Sequence, residues 1–269
     1  MARRRHVPMA IFNPVTKGKI FVILPALNEE EALQRLLPDI YHATDMMRTA
    51  IHVIVIDDGS TDRTADAAQW APEGLSVEVI SHGENRGLAG GLTTGINRVL
   101  EMSESDHDLM VCMDADHTHP PESIPKMAAL IWEGQDIIIA SRYQSGSQQR
   151  GVPRFRRLLS WGAKTLFRLL LPIPSVRDYT CGYRAYRVKT LREAWRRTDG
   201  HLITTRGFAC TDELLIKLAM ITKRIREIPF TLRYDRKPGK SKLQLGVTIR
   251  AQIRVLGHLR RLRRAGLPK

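Results

Sequence analysis

Four short apolar runs, separated by stretches of helical or turn-forming character, predict the framework of the fold. The runs cover residues 19–25, 51–56, 76–80 and 110–113. Between them, one helical stretch opens after Asn28, one runs from Thr64 to Trp70, and one ends near Glu101. Strands that alternate with helices predict a mostly parallel α/β sheet with right-handed crossovers and flanking helices. In such a sheet the loops after the strands gather at one edge, where ligands bind.

Paired carboxylates stand in the loops after two of these runs. Asp57 and Asp58 follow the second run, and Asp114 and Asp116 follow the fourth. Mg²⁺ and Mn²⁺ prefer oxygen ligands, and such cations are commonly held by one or two carboxylates together with substrate phosphates. Asp114 and Asp116 therefore predict a site for a metal-bridged diphosphate. The same residue types are also favoured in plain turns and caps, so a structural role stays open on this pattern alone.

Several motifs occur in a fixed order along the chain. Residues 24–29 read Leu-Pro-Ala-Leu-Asn-Glu, residues 57–62 read Asp-Asp-Gly-Ser-Thr-Asp, residues 85–87 read Asn-Arg-Gly, and residues 113–116 read Met-Asp-Ala-Asp. This series resembles family-2 glycosyltransferases of the GT-A fold. The likeness extends to the dolichyl- or polyprenyl-phosphate mannosyltransferase branch through residues 140–143, 156–160, 178–186 and 235–243.

The resemblance divides the chain into three parts. It implies a GT-A, Rossmann-like domain with a mostly parallel sheet over residues 19–243. Residues 1–18 are then a basic N-terminal extension, and residues 244–269 a basic amphipathic C-terminal helix. No run approaches the roughly 18 to 20 apolar residues that cross a bilayer, since residues 166–176 are too few and include Arg168.

The resemblance also implies an activity. We expect a metal-dependent inverting glycosyltransferase that moves one hexose, mannose from GDP-mannose in the first instance, to a polyprenyl phosphate at the cytoplasmic face of a membrane. The chain lacks the Gln-x-x-Arg-Trp signature of processive synthases, which favours one sugar per acceptor. The alternatives are UDP-glucose or another nucleotide sugar as donor, and a polyprenyl phosphate or a soluble hydroxyl as acceptor. A basic scaffold that recruits membrane partners is the alternative without catalysis, and the presence of both Asp114 and Asp116 argues against it.

The likeness assigns roles to individual positions. Asp114 and Asp116 are the expected ligands of Mg²⁺ or Mn²⁺, with Asp116 the direct one. The residues expected to bind the nucleotide sugar are Pro25, Leu27, Asn28, Glu29, Asp57, Asp58, Gly59, Asp114, Ala115, Asp116, Arg142 and Lys242. The acceptor phosphate is expected at Arg156, Ser160 and Arg236. The residues expected to carry catalysis are Asp116, Arg142, Glu213, Arg236 and Lys242.

Three positions near these motifs leave alternatives open. In relatives that glycosylate hydroxyls, a carboxylate in the region of Glu213 is the general base, because an alcohol must lose its proton. A phosphate acceptor is already ionised, and Glu213 is then expected to pair with a cation such as Arg184 or Arg206. Thr118 lies where some family members present a further metal ligand, whereas we interpret His119 as a turn residue ahead of two prolines.

The net charge of +14 calls for an anionic partner. Nucleic acid is disfavoured, because no nucleic-acid-binding motif is present and aromatic residues make up only 6% of the chain. An anionic membrane surface fits better, and a membrane-protein partner stays open. Residues 154–171 have the spacing of an interfacial amphipathic helix. Its apolar positions are Phe155, Leu158, Leu159, Leu166, Leu169 and Leu170.

Each of the two basic, apolar segments also has an interpretation without a membrane. The apolar face of residues 154–171 could instead meet the core, as in an ordinary surface helix. Residues 245–267 repeat the basic and apolar pattern, and a solvated basic tail is the alternative there. Finally, Cys112, Cys181 and Cys210 are few and widely spaced, which predicts buried free thiols in a reducing compartment.

Overall fold

A computed structural model describes residues 18–236, 256–261, 263–264 and 266 of the chain. Within residues 18–236 the chain forms nine strands and six α-helices. The strands are β1 (Ile20–Ala26), β2 (Ile51–Asp57), β3 (Ser76–Ser81), β4 (Leu109–Cys112), β5 (Ile137–Ser141), β6 (Gln148–Arg150), β7 (Arg184–Arg187), β8 (Ile225–Pro229) and β9 (Thr231–Arg233). The helices are α1 (Glu30–Thr44), α2 (Gly87–Met102), α3 (Ile124–Trp132), α4 (Arg154–Leu170), α5 (Val188–Arg197) and α6 (Ala209–Ile221).

Seven of these strands form one sheet in the order β3-β2-β1-β4-β7-β5-β8. Strand β7 runs antiparallel to β4 and β5, whereas the other neighbours in this sheet are parallel. The mostly parallel sheet predicted from the alternation of strands and helices is thereby confirmed. Strands β6 and β9 pair separately as a short parallel ribbon.

Helices cover both faces of the sheet, which explains why the strands read as continuous apolar runs. Successive residues of a strand point to opposite faces. Ile23 of β1 thus belongs to the core on one face, with residues of α2, α5 and α6. Val22 belongs to the core on the other face, with residues of α1 and α3. The first four strands lie within one residue of the predicted runs. The predicted helix at residues 64–70 is a 3₁₀ segment, Arg63–Trp70.

Helix α4 forms where the amphipathic pattern predicted it, and the exposure of its apolar positions bears on the two interpretations. Phe167 is fully buried and joins the core. Of the predicted apolar stripe, Phe155, Leu166 and Leu169 are exposed, and so is Trp161. Leu170, at the end of the stripe, is partly buried and packs against the core. Three of the four described positions are thus exposed, which favours an interfacial helix, and its contact with a membrane stays a prediction.

The C-terminal segment is described only in part. Leu256 and Leu259 are buried against the same core cluster as α6, and Arg263 Nη2 donates a hydrogen bond to the carbonyl of Pro172. The bounds predicted for the extension and for the C-terminal helix stay predictions, because residues 1–17 and 237–255 lie outside the described chain. No helix among the described residues is both long and apolar enough to span a bilayer. Cys112, Cys181 and Cys210 are buried free thiols, as predicted.

Candidate active site

The loops after β1 and β2 are joined by hydrogen bonds around Asn28. The backbone of Asn28 has a positive φ of 53°. Its N–H donates to Ser60 Oγ at 2.8 Å, and its side-chain Oδ1 accepts from the N–H of Thr61 at 2.7 Å. Left-handed backbone geometry is tolerated best by glycine and asparagine, so Asn28 suits both this turn and its bond to the second loop. Pro25 is the penultimate residue of β1, and Leu27 and Glu29 lie in the loop that follows it.

Asp58 ties the second loop to the third. Its carboxylate accepts hydrogen bonds from the backbone N–H groups of Arg86 and Gly87, at 2.9 and 2.8 Å. His82 Nδ1 lies 2.7 Å from the same carboxylate. Asp58 is therefore engaged with the residues that open α2, which is where anionic groups are stabilised by helix N–H groups. His82 directly follows β3, 24 residues from Asp58, and no sequence motif predicted its contact with this carboxylate.

Asp57 and Gly59 shape the same turn. Asp57 Oδ1 accepts from the N–H of Ser60 at 3.0 Å, and the residue is buried. Gly59 has a φ of +77°, and a Cβ at this position would lie 2.7 Å from the carbonyl carbon of Glu84. Only glycine combines this backbone conformation with so close an approach. The structure thus places all the predicted residues of the first two loops at one edge of the sheet.

The predicted metal ligands follow β4 at the same edge. Asp116 is nearly buried, and its Oδ1 accepts from the N–H and the hydroxyl of Thr118 at 3.1 and 2.7 Å. The Asp114 side chain is 47% exposed. Thr118 therefore orients Asp116, which sets the direction of a carboxylate that is expected to bind a cation. Ala115, between the two acids, is buried.

His119 supports this turn from inside the protein. Its Nδ1 accepts a hydrogen bond from the backbone N–H of Asp114 at 3.0 Å. The ring stacks on Tyr183 with 5.0 Å between centroids, and only 5% of its side chain is exposed. His119 therefore acts as a turn residue that fixes Asp114, as predicted.

The residues present fit a hard divalent cation. Asp114 and Asp116 offer carboxylate oxygens, the donor type that Mg²⁺ and Mn²⁺ prefer. Among the described residues, no group of three or more His, Cys, Asp or Glu side chains is arranged as a full metal cage. A pair of carboxylates completed by phosphate oxygens is the usual way in which proteins hold Mg²⁺.

Arg142, which follows β5, forms a buried bidentate ion pair with Asp178. Arg142 Nε and Nη2 donate to the two oxygens of Asp178 at 2.8 and 2.7 Å, and Arg142 Nη2 also reaches Thr180 Oγ1. Burial acts to raise the pKa of Asp178, but the charge of Arg142 outweighs it and the net shift is downward. Arg142 is thus a fixed cation beside the site, and its predicted contact with the donor diphosphate stays a prediction.

Asp212, in the first turn of α6, is a buried carboxylate to which the sequence analysis gave no role. Neither of its oxygens has a hydrogen-bond partner among the described residues, and the same holds for Arg184 Nε. Burial raises the pKa of Asp212 to about 8, against the opposing charge of Arg184. Arg184 itself donates to the carbonyls of Thr211 and Tyr179. The only signal for Asp212 in the sequence is that it is a second acid, next to Glu213, in a mainly apolar helix.

Glu213 has different partners from those expected. Its carboxylate lies 2.7 Å from Lys217 Nζ, one helical turn further along α6, so it pairs with a cation as predicted, but that cation is Lys217 and not Arg184 or Arg206. It also accepts from the backbone N–H and the hydroxyl of both Thr204 and Thr205. Burial acts to raise the pKa of Glu213, but Lys217 and the threonine hydrogen bonds bring it below its usual range. Its predicted role in catalysis is untested.

The predicted acceptor residues are only partly described. Arg236 Nη1 lies 3.2 Å from His117 Nε2 and 3.5 Å from Asp39, so it is near the Asp116 turn. Ser160 Oγ accepts from the hydroxyl of Tyr143 at 2.8 Å. The side chain of Arg156 and all of Lys242 lie outside the described residues.

The seven-stranded sheet with its antiparallel β7, together with the carboxylate pair after β4, has the architecture of the GT-A fold that the sequence resemblance implied. The chain belongs to glycosyltransferase family 2, since the profile named Glycosyl transferase family 2 matches residues 21–195. A dolichol-phosphate mannosyltransferase from Pyrococcus furiosus is 35% identical over 245 residues, which make up 91% of this chain and 63% of that protein. The chain thus spans less than two thirds of this relative.

Two other relatives cover more of their own length. An undecaprenyl-phosphate mannosyltransferase from Micrococcus luteus is 32% identical over 238 residues, which make up 88% of this chain and 92% of that enzyme. A glucosyl-3-phosphoglycerate synthase from Mycobacterium tuberculosis, solved with Mn²⁺, UDP and glucosyl-3-phosphoglycerate, superposes with a TM-score of 0.63. That match has 22% identity and covers 94% of this chain and 81% of the other. It establishes the fold.

Proposed function

We propose that this glycosyltransferase transfers one hexose from a nucleotide sugar, with GDP-mannose favoured, to a polyprenyl phosphate at the cytoplasmic surface of a membrane. The two relatives named as mannosyltransferases act, by their names, on dolichol phosphate and undecaprenyl phosphate. The net charge and the exposed apolar face of α4 support a peripheral membrane location.

The observation that carries the choice of acceptor is the environment of Glu213. A hydroxyl acceptor needs a base within hydrogen-bond reach of its proton. Glu213 is fully buried, paired with Lys217 and bonded to two threonines, which leaves it poorly placed for that task. A phosphate monoester is already anionic at neutral pH and attacks without a base, so it suits this site better.

The charge of the departing diphosphate is the other requirement. Asp114 and Asp116 would hold Mg²⁺ or Mn²⁺, which stabilises negative charge on the leaving group. Thr118 and His119 keep the two carboxylates in place. Asn28, Asp57 and Asp58 build the loops along which the nucleotide would lie.

Arginine and lysine side chains would then hold the phosphates. Arg142 is fixed by Asp178 and contributes a permanent positive charge at the edge of the sheet. Arg236 stands beside the turn that carries Asp116. Guanidinium groups bind phosphate oxygens through charge-assisted hydrogen bonds, so substitution of Arg236 by alanine should harm transfer more than substitution of an exposed arginine elsewhere.

Transfer assays with several donors and acceptors test the proposal. GDP-mannose, UDP-glucose and UDP-GlcNAc would each be combined with Mg²⁺ or Mn²⁺ and with a polyprenyl phosphate, the matching polyprenol or soluble sugars. We expect a glycosylated lipid phosphate, formed only with metal and most rapidly from GDP-mannose. Transfer to the free polyprenol or to a soluble hydroxyl, with none to the phosphate, would overturn the acceptor assignment.

A thermal-shift series with the same donors separates binding from transfer. The favoured nucleotide should raise the melting temperature in the presence of Mn²⁺, because a ligand that binds only the folded state stabilises it by mass action. A larger shift with UDP-glucose than with GDP-mannose would contradict the preferred donor and leave the acceptor assignment in place.

A further inference from the structure

Tyr143, two residues beyond the end of β5, connects the edge of the sheet to helix α4. Its hydroxyl donates a hydrogen bond to Ser160 Oγ at 2.8 Å. Lys164 Nζ lies over the tyrosine ring, 4.2 Å from its centroid. The guanidinium carbon of Arg142 lies 5.6 Å from the same centroid. One aromatic side chain thus contacts a hydroxyl and two cations near the predicted acceptor residues.

Helical spacing places Ser160 and Lys164 on one face of α4, because residues four apart are neighbours on a helix surface. The tyrosine ring attracts the ammonium group through its negative face, which restricts a side chain that is otherwise highly mobile. Ser160 accepts its bond from Tyr143, and a hydroxyl that accepts one bond keeps its own proton to donate elsewhere. A donor hydroxyl and an oriented ammonium therefore stand together.

Lys164 differs from the neighbouring cation Arg142 in having no acidic partner among the described residues. Arg142 forms an ion pair with Asp178 at 2.7 Å. Among the residues that the structure describes, no carboxylate forms an ion pair with Lys164, whose described contact is with the ring of Tyr143. It is only partly exposed. A half-buried cation without an acidic partner, beside a hydroxyl donor, has the chemistry that binds a phosphate monoester.

Ser160 and Lys164 lie between the edge of the sheet that carries the candidate active site and the exposed face of α4. Tyr143 follows Arg142, whose guanidinium lies at the edge of the sheet with Asp178 and Thr180. On the other side, α4 exposes Trp161 and Leu169, whose side chains are 57% and 74% exposed. An anionic headgroup at Ser160 and Lys164 would thus lie between the sheet edge and an apolar helix surface that suits a hydrocarbon chain.

We propose that Lys164, oriented by Tyr143, is a phosphate-binding residue that holds the acceptor's phosphate monoester together with Ser160. This inference rests on the proposed function, because it presumes a lipid phosphate acceptor. Anionic membrane headgroups carry related chemistry, and the test below separates a substrate contact from a general surface contact. Tyr143 is a positioning residue, since it acts through Ser160 and Lys164.

Steady-state kinetics in neutral detergent, with a short-chain polyprenyl phosphate and no anionic lipid, provide the test. We expect Lys164→Gln to raise the KM for this acceptor by about 10- to 100-fold, the range for a lost hydrogen bond to a charged group. The KM for the nucleotide sugar should not change, because the proposal places Lys164 at the acceptor and not at the donor. Lys164→Arg should retain part of the affinity, because it keeps the charge but not the compact ammonium.

Two further variants locate the effect. Arg168→Gln removes the same charge one turn further along α4 and should leave the acceptor KM unchanged. Tyr143→Phe keeps the ring but loses the hydrogen bond to Ser160. Tyr143→Leu also removes the ring that Lys164 contacts, so it should raise the acceptor KM more than Tyr143→Phe does. Melting temperatures would confirm that each variant is folded at the assay temperature.

The outcomes distinguish this inference from the proposed function. If Lys164→Gln and Arg168→Gln weaken binding to anionic vesicles equally and leave the acceptor KM unchanged, Lys164 is a headgroup contact and the inference fails. If the unaltered protein binds nucleotide sugar but glycosylates no lipid phosphate, the proposed function fails, and the inference fails with it. A normal acceptor KM in Tyr143→Leu would overturn the positioning role.

Discussion

Substitution of Glu213 by glutamine should destabilise the protein through its buried ion pair. Glu213 and Lys217 lie 2.7 Å apart, with 0% and 4% of their side chains exposed. Removal of one partner leaves the other charge buried and unpaired, which typically costs about 3 to 5 kcal/mol. For a protein of this size, about 1 kcal/mol corresponds to a shift of about 2 to 4 °C. We therefore expect the melting temperature of Glu213→Gln to fall by roughly 6 to 20 °C.

A double-mutant cycle by urea unfolding measures the coupling directly. Lys217→Met, alone and combined with Glu213→Gln, completes the cycle, and the double variant should be more stable than the sum of the single effects predicts. The matched control is Glu193→Gln on α5, since Glu193 pairs with Arg197 at the same spacing but both side chains are more than one third exposed. Exposed pairs contribute about 0 to 1 kcal/mol, so the control should change little.

The pH dependence provides a second check. The pKa of Glu213 is lowered in the folded protein, so its stabilising contribution is present above its ordinary pKa and is lost as pH falls through the lowered value. The difference in melting temperature between Glu213→Gln and the unaltered protein should therefore shrink as the pH is lowered into the acid range. An unchanged melting temperature combined with a kcat lowered by about 10² to 10⁴-fold, the contribution of a general base, would refute this reasoning and favour a hydroxyl acceptor.

Three other predictions concern the metal ligands, the membrane and the second buried acid. Asp116→Ala should abolish transfer and the Mn²⁺-dependent thermal shift with nucleotide diphosphate, because the cation loses a charged ligand; near-normal metal-dependent transfer would contradict the site. The protein should sediment with anionic liposomes at low salt and be released as salt rises, because headgroup attraction is screened; salt-independent sedimentation would indicate insertion instead. The pKa of Asp212, raised to about 8 mainly by burial, means that the folded protein keeps a proton that the unfolded chain loses, so stability falls as pH rises from about 4 to 8. Asp212→Asn should flatten this profile and melt higher than the unaltered protein at pH 8, as calorimetry would measure; parallel profiles would contradict the buried-acid interpretation.

The sequence determined the parts of the structure that depend on short-range periodicity. Apolar runs bounded by turn residues predicted β1 to β4 to within one residue, and the right-handed crossover rule then required their loops to meet at one edge. The position of Asp114 and Asp116 at the same edge of the sheet as Asp57 and Asp58 follows from that rule. The amphipathic spacing likewise predicted α4 as a helix.

Tertiary structure decided which side chains meet and which way they face. The partner of Arg142 is 36 residues away and that of Asp58 is 24, and nothing in local spacing selects these partners over other charged residues. Glu213 and Lys217 are four residues apart and could have been paired as neighbours on a helix, yet only their burial shows that the pair is structural. Helical spacing predicted the apolar stripe of α4, but only the packing of the helix shows that Phe167 is buried while Leu166 and Leu169 are exposed. Periodicity is a property of one segment, whereas burial and charge pairing are set by the segments packed against it.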